Sequence, residues 1–143
     1  MNKPVLFLRT ASVLTLIHAV LHTIGGVFGK IDAGAASVAA EAMKTNTFLF
    51  MGVTRSFWEF HRGLGLFVTI SLTAESILMW QLSSLAKTDA RRLRPLMATF
   101  LAAYAVIAIN SCVYFFAIPV ITELLIATCL GAAFVTAKPR EAA

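Results

Sequence analysis

Residues 96–137 read LMATFLAAYAVIAINSCVYFFAIPVITELLIATCLGAAFVTA, 42 consecutive positions with one charge, Glu123. A helix rises about 1.5 Å per residue and a bilayer's hydrocarbon core is about 30 Å thick. One crossing therefore takes about 20 apolar residues, and this stretch holds two. Asn110, Ser111 and Pro119 interrupt its middle. Proline lacks a backbone N–H and suits the first turn of a new helix. A tight turn is expected around 117–119, between spans near 96–117 and 119–137.

Working outward, residues 63–85 carry only Glu75, and residues 10–28 carry no Lys, Arg, Asp or Glu. Each fits one span, near 62–84 and 10–28. The expectation is one domain over 1–143, an all-α integral membrane four-helix bundle. Composition agrees: of 143 residues, 59% are hydrophobic and 13% charged, and the mean hydropathy is +0.82. That charge share is about half of what soluble domains carry. Most soluble readings, and a disordered chain, are excluded on these grounds. A cleaved signal sequence is disfavoured, because the first apolar stretch is long and holds two histidines. Cys112 and Cys129 lie inside spans and read as small packing residues rather than a disulfide. Gly25/Gly29, Ala98/Ala102 and Ala127/Gly131 are small residues one turn apart that let helices approach, without identifying a dimer face. The oligomeric state stays open.

The basic residues set orientation. Lys3 and Arg9 precede the first span, Lys87, Arg91, Arg92 and Arg94 follow the second, and Lys138 and Arg140 follow the last. Four helices put all three groups, and both termini, on one side. Short cytoplasmic loops are rich in Lys and Arg, so that side is expected to face the cytoplasm of a bacterial inner membrane. The net charge of +5 comes from this side. Nucleic acid is therefore not expected as a partner, whereas membrane lipids are.

The first loop, 29–61, then lies outside. From Ala39 to Phe50 a short amphipathic helix is expected, with Ala40, Met43, Thr47, Phe50 and Met51 on a face opposite Glu41 and Lys44, lying at the outer interface or over the bundle mouth. Next, Met51 to Leu66 is the densest polar and aromatic segment. If helical, it places Arg55, Glu59 and Arg62 on one face, where Glu59 can pair with both arginines. Phe57 and Trp58 suit the aromatic belt, and Gly63 and Gly65 admit a close neighbour. Two readings follow: an interfacial anchor, or the rim of a site for a lipid headgroup or other anionic ligand.

Four features of the chain resemble a family of small uncharacterised four-span bacterial membrane proteins of similar length. They are His22-Thr23-Ile24-Gly25-Gly26; Glu41-Ala42-Met43-Lys44 with Met51-Gly52; Arg55-Ser56-Phe57-Trp58-Glu59-Phe60 leading into Gly63-Leu64-Gly65-Leu66; and Trp80-Gln81-Leu82 with the basic loop, then Tyr114 to Pro119. The resemblance spans nearly the whole chain. It implies a four-helix membrane protein and no activity. His18 and His61 match nothing in the pattern.

Ionisable groups inside spans cost about 2.5–3.5 kcal/mol each on insertion scales and usually face the interior or water. Here they are His18 and His22 in the first span, Glu75 in the second and Glu123 in the fourth, joined by Asn110 in the third. At about 1.5 Å per residue, His22, Asn110 and Glu123 each lie within about 10 Å of the outer surface. With Arg55, Trp58, Glu59 and Arg62 they are expected to line one outward-facing pocket for a lipid or other apolar small molecule. Glu75 belongs nearer the inner half, by His18. An enzyme of isomerase or hydrolase type is the rival, with His22, Glu59 and Glu123 as candidate catalytic groups in a His/carboxylate pair. A non-catalytic subunit of a membrane assembly is the third reading. No cofactor is favoured. Metal is weakly indicated by His18 and His22 at i, i+4 with His61 or a carboxylate as a third ligand, and haem more weakly still. Cross-helix hydrogen bonds that fix packing are the plain alternative for each group.

Overall fold

Four apolar stretches form four long helices, and a short mixed segment fills the first loop. A computed structural model describes residues 2–137; Lys138 and Arg140 lie outside the described residues. Helix α1 spans Lys3–Leu21 and continues as a π-helical turn, His22–Val27. Then follow α2 (Ala35–Thr45), β1 (Thr47–Phe50), β2 (Val53–Ser56), α3 (Phe57–Asp89), α4 (Arg94–Tyr114) and α5 (Ala117–Thr136). The four stretches Lys3–Val27, Phe57–Asp89, Arg94–Tyr114 and Ala117–Thr136 are long and apolar enough to cross a membrane.

The first three long helices extend beyond the uncharged stretches, because backbone hydrogen bonding, not hydropathy, ends a helix. Thus α3 has 33 residues, about 50 Å, well over a hydrocarbon core's thickness. The turn between α4 and α5 falls at Phe115–Phe116, earlier than expected, where both residues are extended. Pro119 is the third residue of α5, where a helix leaves its N–H unpaired in any case.

The first loop departs most from expectation. The amphipathic helix is α2, at Ala35–Thr45 rather than 39–50. Thr47, Phe50 and Met51 belong to a β-hairpin instead. β1 pairs antiparallel with β2, Phe48 opposite Arg55 and Phe50 opposite Val53. Met51 and Gly52 turn the hairpin, both with positive φ, +49° and +81°. Two consecutive left-handed residues match the right-handed twist of paired strands.

Contacts divide the chain into two compact units, Ala19–Ser71 and the chain on either side of it. In the flanking unit, side chains of all four long helices share one buried cluster, among them Leu8, Met79, Tyr104 and Ile126. Residue pairs set the helix directions there. Arg9 lies over Trp80 and Ser12 meets Ser76, so α1 and α3 run antiparallel. Arg94 lies over Phe134 and Ser111 meets Glu123, so α4 and α5 do too. Ser12 and Ser76 each donate a hydroxyl to the other's backbone carbonyl, at 2.8 and 2.9 Å. Among the described residues both cysteines are free thiols.

Candidate functional site

In the Ala19–Ser71 unit, the start of α3 organises the polar segment. Ser56 Oγ accepts the Glu59 N–H at 3.1 Å. Glu59 Oε2 accepts the Ser56 N–H at 2.8 Å and the Ser56 hydroxyl at 3.2 Å. This reciprocal Ser-x-x-Glu capping box satisfies donors that a helix start leaves open. It corrects the expected Arg55–Glu59–Arg62 face. Arg55 is in β2, its Nη1 donating to the Thr54 carbonyl at 2.9 Å. Among the described residues Glu59 forms no ion pair with either arginine. The Arg62 guanidinium lies 4.8 Å from the Phe28 ring centre, and Lys44 Nζ 5.7 Å from that of Trp58. Trp58 also packs on His61, ring centres 5.9 Å apart. Arg55, Glu59 and His61 are exposed; Trp58 and Arg62 are half-buried.

Beside this polar segment stands an apolar one. Phe48 packs on Phe57 and, edge-on, on Phe60, at 5.0 and 5.7 Å. The hairpin tip is left open: Leu49, Phe50 and Met51 are 71%, 68% and 87% exposed.

His22 is committed elsewhere. Its Nε2 lies 3.1 Å from the Gly65 carbonyl oxygen. A carbonyl only accepts, so Nε2 donates in this contact. Gly65 also admits Val27 at close range, because a Cβ there would stand 2.9 Å from Val27 Cγ2. Thr23 and Thr69 hydroxyls meet at 3.0 Å along the same seam. Within this unit, therefore, no histidine nitrogen stands beside a carboxylate: Glu59 is on Ser56 and His22 on Gly65.

The other expected pocket residues, Asn110 and Glu123, belong to the flanking unit. Glu123 is 3% exposed; its Oε1 accepts the Ser111 hydroxyl at 2.9 Å, and its Oε2 is buried with no partner among the described residues. Asn110 is exposed on α4, and its neighbour Ser111 is the residue turned toward Glu123. Ser111 sits seven residues after Tyr104 and three after Ala108, the spacing of one buried face. Glu75 and Tyr104 form a second polar group, with the Tyr104 hydroxyl donating to Glu75 Oε2 at 2.8 Å. A recess of about 580 Å³ opens at the basic end of this unit, with Asn2, Lys87, Asp89 and Arg91 on its wall. Among the described residues no group of three or more His, Cys, Asp or Glu side chains is placed to hold a metal ion. His18, His22 and His61 thus gain no third ligand.

The capping box was readable as Ser56-Phe57-Trp58-Glu59, a Ser-x-x-Glu signature before an apolar run. The His22–Gly65 contact had no local signal. Comparison with protein-family models, with curated proteins and with solved structures returns no match.

Proposed function

We propose that this chain is a four-helix bundle of a bacterial inner membrane, of the kind its sequence resembles, that binds an anionic lipid at its outer face through the Ala19–Ser71 unit. One observation carries the reading: this unit presents Arg55, Arg62 and Lys44 together with an exposed apolar hairpin tip, Leu49 to Met51. Cations with an apolar surface match a phosphate headgroup with its acyl chains. Arg62 lies over the Phe28 ring, which holds it without neutralising it, whereas Lys44, over Trp58, also pairs with Glu41 at 3.4 Å. Basic residues at the inner end, including Lys87, Arg91 and Arg92, support cytoplasmic termini.

The test is native mass spectrometry of the detergent-purified chain. Wild type is expected to retain a phospholipid. Each basic residue near an anionic surface contributes about 1 kcal/mol, so Arg55→Gln with Arg62→Gln should weaken retention about 30-fold. A lipid-free wild type, or a double variant that retains lipid equally, rejects the reading.

A further inference from the structure

Tyr104 is the central residue of α4 and is 1% exposed. Its hydroxyl stands in a row between a carboxylate and a second hydroxyl. Glu75 Oε2 lies 2.8 Å away, Thr15 Oγ1 lies 3.3 Å away on the other side, and Thr15 Oγ1 is in turn 2.9 Å from the Ala11 carbonyl. Thr15 is fully buried and Glu75 half-buried. All four residues belong to the flanking unit, on three different helices.

Each hydroxyl has one proton, and two orientations of the row place a proton on both the Glu75–Tyr104 and the Tyr104–Thr15 links. With Glu75 ionised, Thr15 donates to Tyr104 and Tyr104 donates to the carboxylate. With Glu75 protonated, the carboxylic acid donates to Tyr104, Tyr104 to Thr15, and Thr15 to the Ala11 carbonyl. Every donor has an acceptor in both states, and no heavy atom needs to move. Tyr104 sits about 15 Å along α4 from Arg94, half the thickness of a hydrocarbon core, where an ionisable group marks a functional site more often than a structural one.

We propose that Glu75, Tyr104 and Thr15 form a proton-binding site in the middle of the membrane, in which reversal of the hydroxyl row lets Glu75 take up and release a proton. The other titratable or charged groups of the packed elements are His18, one turn along α1 from Thr15; Arg9, over Trp80; and Glu123 on α5.

The probe is dicyclohexylcarbodiimide, a lipid-soluble reagent that attacks protonated carboxyl groups, applied to the full chain in detergent and read by mass spectrometry. The acid's proton passes to a carbodiimide nitrogen and its oxygen bonds the central carbon. An oxygen-to-nitrogen acyl shift then leaves a stable N-acylurea, with nothing lost. The expected result is an adduct on Glu75 that is absent from Glu75→Gln, retained in Glu123→Gln, and formed more slowly as pH rises. Removing a donor harms the ionised form more than the neutral one, since charge-assisted hydrogen bonds are about twice as strong. Tyr104→Phe should therefore label several-fold faster than wild type at alkaline pH. Thr15→Val, which keeps the side chain's shape, should do the same to a smaller degree and carries the test if Tyr104→Phe does not fold. No adduct on Glu75 between pH 5 and 9 overturns the proposal. So does a labelling rate independent of pH, or unchanged in Thr15→Val.

Discussion

Ser111 donates its hydroxyl to Glu123 Oε1 across 2.9 Å, and the second oxygen of that carboxyl is enclosed with no partner among the described residues. The pair ties α4 to α5 near the turn that joins them. Polar pairs between membrane helices contribute modestly, up to about 1.7 kcal/mol, whereas stripping a buried group of its last partner costs about 1–3 kcal/mol.

Ser111→Ala should accordingly lower stability by about 1–2 kcal/mol. Glu123→Leu, which removes the buried carboxyl as well, should cost less than Ser111→Ala despite the larger chemical change. Thermal unfolding in one detergent orders the two variants, and the reverse order would show that Glu123 is not a stranded acid.

Gly65 and Val27 provide a second test. A Cβ at Gly65 meets the Val27 side chain at 2.9 Å. Gly65→Ala should destabilise, and Val27→Ala should recover much of the loss, giving a coupling energy of about 0.5–3 kcal/mol in a double-mutant cycle. Gly29→Ala should have no such rescue, because its Cβ would collide with the Gly25 backbone carbonyl, and backbone cannot be trimmed.

The capping box separates a structural Glu59 from a catalytic one. Ser56→Ala and Glu59→Ala should each cost about 1 kcal/mol of local stability. Glu59→Gln should cost little, since an amide oxygen still accepts the Ser56 N–H. Hydrogen exchange at the first turn of α3 reads this. A Gln variant as damaged as the Ala variant would mean the charge itself matters there.

Met51 holds φ of +49° without being glycine. A left-handed residue with a Cβ costs about 1–2 kcal/mol, so Met51→Gly should slow hydrogen exchange across β1 and β2. Gly52→Ala, at φ of +81°, should speed it. Both variants keep Phe50 and Leu49, and lipid retention should fall with hairpin order in Gly52→Ala; Met51→Gly, which also trims the apolar tip, is read by hydrogen exchange alone.

The number and order of the long helices were legible in the chain because hydropathy is a per-residue property, and water excludes apolar surface wherever it occurs. Stretches of 20 or more residues with one charge can only be apolar helices or buried ones. The ends of those helices were less legible. Lys3, Arg9 and Lys87 lie inside helices because a charged side chain does not stop backbone hydrogen bonding. Around Arg55 the helical pattern failed for a local reason. Met51-Gly52 accepts a left-handed turn, and Ser56-x-x-Glu59 fixes where α3 begins, so Arg55 falls on a strand.

The site chemistry divided in the same way. Sequence alone named Glu75, Glu123, His22 and Arg62 as costly or unusual groups, because cost depends only on residue type and depth. It could not pair them. Tyr104 and Thr15 are separated by 89 positions, and His22 and Gly65 by 43. Only helix packing decides which hydroxyl faces which carboxyl, since rotating α4 by one residue would turn Ser111 away and present Asn110. The sequence by itself determined four apolar helices and the few polar groups within them. The tertiary structure decided that Glu59 caps a helix, that His22 serves a backbone carbonyl, and that Glu75 ends a row of hydroxyls, because hydrogen bonds are directional and short whereas hydropathy is neither.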